Sequence, residues 1–187
     1  INIGSYLYGS DSKLQPNRKA KQPDVIGILP VRNVVVYPGT VTPLAIGRKE
    51  SRTLISDVSD NDSAIGLLLQ KKPDTDSPSY EDLYSIGTTV SVLKVIKLPQ
   101  GPMHIVVHGI SRFKILKIVS TKPYMKAKVE YLTTNIKMTK RLKALMVNVR
   151  NAAGRVIALS PNVPEEASVL LENIENPAAL ADFLAAN

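Results

Sequence analysis

The chain has 187 residues, of which 44% are hydrophobic and 21% are charged, and its formal net charge is +8. That balance is typical of a soluble globular protein, and the absence of cysteine excludes disulfide bonds, thiolate metal ligands and cysteine nucleophiles. There is no apolar run of about 18 residues, so we expect no membrane-spanning helix, and the lack of cysteine fits a reducing, cytoplasmic setting.

The positive charge is concentrated in one part of the chain. Residues 83–164 contain fourteen Lys and Arg but a single acid, Glu130, whereas residues 24–82 contain nine acids. Such a distribution indicates an acidic partner for the basic part, either nucleic acid or an acidic protein surface. Scattered lysines are more often the solvent-facing side of strands, and their spacing here favours that simpler explanation.

Both ends of the chain suggest a piece of a longer protein. Residues 1–23 are polar, basic and without apolar periodicity, which predicts a flexible arm, and they lack the apolar core of a signal peptide. The chain begins with Ile1 and stops inside a helical pattern without a capping residue. We therefore expect a parent protein that continues beyond Asn187.

The stretch Val25–Ile46 is rich in β-branched residues but is interrupted three times by proline. Proline lacks the amide proton that a sheet ladder needs, so it is expected at strand starts, strand edges or bulges. We therefore predict one short β run over Val25–Val31 and another over Leu44–Ile46, with Pro30, Pro38 and Pro43 dividing the stretch into short pieces and a turn around Pro38. Between them the chain would cross the surface of a small barrel and re-enter the sheet at Leu44.

A helix and a strand follow. Apolar residues at helical spacing predict a helix from Arg48 to Ser59, and the run AIGLLLQ at 64–70 predicts a buried strand. Residues 71–82, KKPDTDSPSYED, predict a polar and mobile loop.

A hairpin is predicted next. One strand is expected over 86–98, a turn over 99–102, and a returning strand over 103–108 that Gly109 ends.

Two more strands complete the β-rich part. The strand at 112–119 contains a one-residue slip in its apolar spacing between Ile115 and Leu116, which is typical of a β-bulge. Residues 124–132 alternate cleanly, with apolar side chains on one face and Lys and Glu on the other.

After residue 133 the apolar period changes to that of a helix. We predict a long helix over Thr139–Leu159, with Thr139 as its N-cap and Ser160-Pro161 as its end. Pro164 and Asn176-Pro177 each open a further helix, because proline is favoured in a first turn. The residues predicted to form one apolar stripe on the long helix are Leu142, Leu145, Met146, Val149, Ala152, Ala153, Val156 and Ile157.

Sequence motifs of catalytic and metal sites are missing from the chain. It contains no Walker A loop, no GxSxG nucleophile elbow and no HExxH zinc motif. His104 and His108 lie in one predicted strand, where four residues separate their Cα atoms by about 13 Å, too far to share a zinc ion. The acids of DVSDND, at 57–62, lack the central glycine and terminal glutamate of a calcium loop. We therefore expect no catalytic, cofactor or metal site in this chain.

Several separated stretches resemble, in order, the N-terminal domain of bacterial Lon, an ATP-dependent serine protease. The first is LPVRNVVVYPG at 29–39, which is similar to the family's LPLRDVVVYP but has Asn33 in place of the usual Asp. The similarity covers nearly everything after Val25. The other matching stretches are PLAIGRKES (43–51), LYSIGT (83–88), KLPQG (97–101), VHGISR (107–112) and NPAALAD (176–182).

The sequence patterns and this resemblance together predict an α+β protein in three parts. They are a flexible arm over 1–23, a PUA-like β-barrel module with one short helix over 24–132, and an all-α helical-bundle segment over 133–187 that begins a longer helical region. The family's ATPase and protease modules lie further downstream. The resemblance therefore assigns catalytic residues, ATP and Mg²⁺ to the parent protein and none of them to these residues.

The resemblance also implies a role. In this family the N-terminal part captures unfolded or tagged protein substrates and helps neighbouring subunits assemble into a homohexamer. The proline-punctuated crossover would be a stiff, partly apolar segment that loses little entropy on binding a peptide, and a purely structural connector is the alternative. The candidate substrate or partner contacts are Arg32, Val35, Tyr37, Pro38, Arg48, Lys49, Glu50 and Arg52.

Two other functions stay open at the level of sequence. PUA-like folds also bind RNA, so the basic residues within 83–164 predict weak DNA or RNA binding as an alternative, although this segment lacks the aromatic platform that single strands favour. The second open possibility is a free-standing protein that is similar to the Lon N-terminal domain and has no attached protease. A Walker A motif downstream of Asn187 would decide against it.

Overall fold

The β-rich part of the chain forms six strands among the described residues of the computed structural model. They are β1 (Val25–Val31), β2 (Val41–Ile46), β3 (Ile65–Leu69), β4 (Ile86–Ile96), β5 (Met103–Ser120) and β6 (Lys126–Leu132). Helix α1 (Lys49–Ser59) lies between β2 and β3, and a short 3₁₀ turn (Tyr80–Asp82) precedes β4. The structure describes residues 23–59, 63–96, 101–133, 135–160 and 166–186. The predicted arm at 1–23 and the turn at 99–102 lie largely outside these ranges.

The strand pairings close on themselves. β5 pairs antiparallel with β4 and with β6, and β6 in turn pairs antiparallel with β1. β1 runs parallel to β3, which pairs antiparallel with β4, so these five strands form a circuit within the described residues. β2 joins the first half of β5 on the side away from β4. The predicted α+β class is confirmed, and the closed circuit is compatible with the expected barrel.

The predicted bulge in β5 is confirmed. Ile115 is opposite Val129 and the next pair is Lys117 with Lys128, so Leu116 is the extra residue on β5. The bulge turns the Leu116 side chain outward, and 54% of its surface is exposed.

Gly109 does not end a strand, and that prediction was wrong. β5 continues through it for 18 residues. The Gly109 N–H donates to the Thr40 carbonyl, and the Gly109 carbonyl accepts from the Gly39 N–H, both at 2.9 Å. A Cβ atom at position 109 would lie 2.1 Å from the Tyr37 carbonyl oxygen. Glycine is needed here because two backbones approach closely.

Pro30 and Pro43 both lie inside strands. This agrees with the predicted β run over Val25–Val31, and it corrects the prediction for Pro43, which was expected to precede a strand. Pro43 lies within β2, whose one neighbour among the described strands is β5. Pro30 lies in β1 beyond Gly27, where the pairing with β6 ends. A missing amide proton costs no ladder hydrogen bond on an open strand side. The sheet is therefore re-entered at Val41, before Leu44.

Two clusters of buried side chains fill the N-terminal compact unit, whose described residues lie within 23–133. α1 contributes Leu54 and Ile55 to the larger cluster. The smaller cluster surrounds the fully buried ring of Phe113. Gly66 and Gly87 leave the space for that ring, because a Cβ at either position would lie within 3.0 Å of it.

The C-terminal compact unit is helical. It contains α2 (Lys140–Leu159), α3 (Glu166–Asn173) and α4 (Pro177–Ala186). The predicted N-cap of α2 is confirmed, since the Leu142 N–H donates to Thr139 Oγ1 at 3.1 Å. The predicted helix opening at Pro164 lies outside the described residues. Within the described ranges, no helix combines the length and apolarity needed to cross a membrane.

The predicted apolar stripe of α2 is wider than the face that is covered. Met146 is buried, but Leu145 and Val156 are 56% and 64% exposed. α3 and α4 are short and contact one narrow side of α2, where residues recur every three or four positions. The α2 residues that pack there are Met146, Val149, Ala153 and Ile157.

Candidate functional site

The crossover segment, residues 32–40, links β1 to β2. It leaves β1 through Asn33, whose φ of +54° is a left-handed conformation that asparagine tolerates. It ends in a turn where the Thr40 N–H donates to the Tyr37 carbonyl at 3.2 Å across Pro38-Gly39, with Gly39 at φ +80°. These are the features of a type II turn, so the predicted turn is confirmed.

Side chains hold the crossover segment against the sheet. Val36 is buried in the larger core cluster. The Arg112 guanidinium lies 5.9 Å from the centre of the Tyr37 ring, within range of a cation–π interaction. Together with the backbone bonds to Gly109, these contacts hold the second half of the segment, from Val36 to Thr40, against the sheet.

An apolar groove lies beside the crossover segment, and we call it the crossover groove. It encloses about 340 Å³ and also borders β3 and the start of β4. Val35, Tyr84 and Ile86 are each about half exposed in it, at 51%, 50% and 52%. Exposed apolar surface gathered in a concave place is typical of a protein contact site. Its walls include Val35, Tyr37, Leu69, Tyr84, Ile86 and Arg112.

A second groove, of about 640 Å³, lies between the end of β1 and β2, and we call it the β1–β2 groove. Its walls combine apolar residues of both strands, such as Leu29 and Leu44, with Arg32, Arg48 and Asp76. This groove therefore has both an apolar and a charged part.

The arginine pair, Arg32 and Arg48, converges on one backbone oxygen. Their Nη2 atoms donate to the Thr75 carbonyl at 3.2 and 3.3 Å. Arg48 also donates to the side-chain oxygen of Gln70, and Arg32 forms an ion pair of 2.9 Å with Asp76. Burial lowers the pKa of Arg48, and the nearby positive charge of Arg32 lowers it further.

The structure distributes the predicted contact residues over several places. Val35 and Tyr37 line the crossover groove. Arg32 and Arg48 line the β1–β2 groove. Val35 and Tyr37 thus belong to an apolar surface, whereas Arg32 and Arg48 supply positive charge to the other groove.

The other four predicted contacts lie around the turn at Pro38 and the start of α1. Glu50 borders a third concave surface near the Tyr80 turn. Arg52 donates to the Gly101 carbonyl at 3.3 Å. Pro38 and Lys49 line neither groove, and a contact role for these four residues stays a prediction.

Sequence reasoning identified only Val35 and Tyr37 among the residues that line the crossover groove. Tyr84, Ile86 and Arg112 were not among the predicted contacts, although all three lie in the matching stretches LYSIGT and VHGISR. These stretches come together only in the fold, because β4 and β5 pair beside the crossover segment.

Groups that could bind a metal do not gather in the described part of the chain. No three His, Cys, Asp or Glu side chains there are placed to hold an ion. His104 and His108 both lie in β5, as predicted, and β5 is extended at both positions.

Comparison with known proteins identifies the family. The ATP-dependent protease La (LON) substrate-binding domain matches residues 25–187. The chain belongs to this family. The Lon match confirms the resemblance seen in the sequence motifs and favours the substrate-binding interpretation over nucleic-acid binding.

Full-length Lon proteases from several bacteria are similar to this chain. It is 37% identical over 165 residues to Lon protease 2 of Sorangium cellulosum, covering 88% of this chain and 20% of that protein. It is 35% identical over 162 residues to the Lon protease of Escherichia coli, covering 87% and 21%. The chain spans about a fifth of the length of these curated relatives.

Solved Lon N-terminal domains share the fold. The N-terminal domain of Mycobacterium avium complex Lon protease superposes with a TM-score of 0.62 at 23% identity, covering 84% of this chain and 80% of that one. The Lon N-terminal domain protein of Xanthomonas campestris gives 0.54 at 16% identity, covering 87% and 97%.

Proposed function

We propose that this chain is the non-catalytic substrate-recognition module of an ATP-dependent Lon-type serine protease, and that the crossover groove holds apolar, extended segments of unfolded or tagged proteins. The observation that carries the proposal is the exposed apolar surface of Val35, Tyr84 and Ile86 beside a segment that is fixed in place. Because the segment is already held by its contacts to β5, little conformational entropy is lost when a peptide binds.

The test is a fluorescence-anisotropy titration of the 187-residue chain with a fluorescein-labelled apolar peptide that has no charged residue and an amidated C-terminus. Val35→Ser removes half-exposed apolar surface from the groove. We expect binding to weaken by about 1 kcal/mol, or roughly fivefold, from the loss of about half of a valine's burial.

Val119→Ser is the matched control. Val119 is also a valine on this unit and is exposed to a similar extent, 55%, but it does not line the crossover groove. Equal affinities for the two variants would show that the peptide does not use the groove.

The parent protein's other properties belong to the same proposal. We infer that ATP and Mg²⁺ act in downstream modules, that neighbouring subunits assemble into a homohexamer, and that the parent is cytoplasmic. The support is the similarity to Lon proteases five times the length of the matched region. Peptidase activity in the isolated, purified chain would contradict the non-catalytic assignment.

A second candidate function, weak DNA or RNA binding, has one specific observation in its favour. Lys117 and Lys128 are directly opposite each other on β5 and β6, where like charges repel and a bound polyanion would relieve the repulsion. Oligonucleotide binding that falls steeply between low and moderate salt would support it. No binding at low salt would remove it.

A further inference from the structure

Positive charge exceeds negative charge beside the β1–β2 groove. Arg32, Arg48 and Asp76 line it, and Glu50 acts electrostatically on Arg48 from outside the groove. Asp76 pairs with Arg32, and the side chains of this pair are 95% and 40% exposed, respectively. An ion pair this exposed changes an equilibrium constant by at most about fivefold. Asp76 is therefore a partner that a competing anion can displace.

The carbonyl shared by the arginine pair receives more donors than it has lone pairs. The Thr75 carbonyl accepts from Arg32, from Arg48 and from Gln70 Nε2, the last at 2.9 Å. Arg48 Nε is buried without a hydrogen-bond partner among the described residues. A carboxylate has two charged oxygens and about four acceptor positions, so it could accept donors that the crowded Thr75 carbonyl satisfies only in part.

The strands that border the groove cannot bind a peptide by ladder pairing alone. Pro30 and Pro43 have no N–H to donate, and the Pro30 carbonyl already accepts from Arg48 Nη1 at 3.3 Å. The Ile28 N–H donates to the Met125 carbonyl at 2.8 Å. Backbone pairing with an occupant would therefore be interrupted at both prolines, so side chains, here apolar residues and the arginine pair, would contribute to holding it.

We propose that the arginine pair is a carboxylate-binding subsite of the β1–β2 groove. In the free chain Asp76 pairs with the Arg32 side of this subsite, and an acidic side chain or the C-terminal carboxylate of an apolar polypeptide replaces Asp76 on binding. The inference rests on the proposed function in that its ligand is a polypeptide, but it concerns a different groove and a different chemical group.

The experiment uses three fluorescein-labelled apolar hexapeptides with the 187-residue chain at low salt. One has an amidated C-terminus and no acid, one has a free C-terminal carboxylate, and one is amidated with a single internal Asp. Asp76→Asn frees the arginine pair with little change in shape. It should tighten binding of one or both carboxylate peptides by about two- to fivefold and leave the uncharged peptide unchanged. Comparing the two acidic peptides distinguishes a terminal carboxylate from a side chain.

Two further variants test whether the effect of Asp76→Asn on carboxylate binding depends on the arginine pair. Asp74→Asn makes the same charge change on the same loop, at an exposed residue that does not line the groove, so it should alter no affinity beyond a small uniform shift. Arg32→Gln removes one guanidinium at an exposed position and should abolish the preference for carboxylate peptides.

The inference is overturned by any of three results. These are equal effects of Asp76→Asn and Asp74→Asn, a carboxylate preference that survives Arg32→Gln, and no binding of either acidic peptide to the Asp76→Asn chain at millimolar concentration. The uncharged peptide reports on the proposed function separately. Suppose that the uncharged peptide does not bind, while an acidic peptide binds and has a higher affinity for the Asp76→Asn chain. This result would contradict the crossover-groove proposal and support the arginine subsite.

Discussion

The two compact units bury their apolar side chains to different extents. In the described residues of the β unit, Ile55, Leu68 and Phe113 are fully buried. In the helical unit, Leu180 is buried, whereas Leu159 is 83% exposed. Pairing between strands places alternate side chains on a common inner face, but a helix satisfies its backbone hydrogen bonds even when part of its apolar side is uncovered. The β unit is therefore stabilised mainly by packing. The helical unit depends more on its helix caps and on one narrow seam, the side of α2 that packs against α3 and α4.

Truncation of Phe113 should have the largest effect. Phe113→Ala leaves a cavity between Gly66 and Gly87, and we expect the free energy of unfolding of the β unit to fall by about 3–5 kcal/mol. Urea denaturation followed by circular dichroism measures it. Phe113→Leu, which keeps most of the volume, should cost much less, and equal losses for both variants would show that the ring is not tightly packed.

Removal of a helix cap should have a smaller, local effect in the helical unit. Asn176 Oδ1 accepts from the N–H groups of Ala178 and Ala179 at 2.8 and 3.2 Å. Asn176→Ala should cost about 1 kcal/mol and speed amide exchange within α4. Asn176→Asp retains the acceptor and should leave exchange slow. Unchanged exchange in the alanine variant would mean that the seam, and not the cap, holds α4.

An effect of similar size to that of the cap is expected at Tyr131, and this effect depends on pH. Its hydroxyl donates to the Pro23 carbonyl at 2.9 Å, so Tyr131→Phe should cost about 0.5–1.5 kcal/mol near neutral pH. Burial, and then the Asp24 carboxylate, raise the pKa of Tyr131. The folded chain thus binds the proton of the Tyr131 hydroxyl more tightly than the unfolded chain does. The stabilisation that Tyr131 contributes is therefore present below about pH 10 and is lost as the pH rises above that value.

Urea titrations of both proteins near pH 7 and above pH 10 give the measurement. The stability difference between the native chain and Tyr131→Phe should narrow at the higher pH. A constant difference would indicate that Tyr131 titrates alike in the folded and unfolded chains.

Much of the fold follows from local patterns in the sequence. Alternation along β6 correctly placed Ala127 and Val129 inside and Lys128 and Glu130 outside, because a strand presents alternate side chains to opposite faces. The bulge at Leu116 and the cap at Thr139 could also be predicted, since each depends on neighbouring residues alone.

The features that local patterns missed depend on distant parts of the chain. Pro43 was placed outside a strand because nothing in the sequence shows that β2 lies at an open edge. The binding surfaces were missed in part for the same reason. Arg112 reaches Tyr37 and Arg48 reaches Thr75 only after the sheet has closed, although the family motifs already contained Arg112 and Tyr37.

The close approach at Gly109 has a consequence for how related sequences can diverge. Any side chain at this position would collide with the Tyr37 carbonyl, so β5 and the crossover segment cannot vary independently. A homologue that replaces this glycine must also lengthen or reroute the connection between its first two strands, and its apolar groove would then have a different outline. The residue aligned with Gly109 is therefore a simple marker for homologues in which the groove described here is retained.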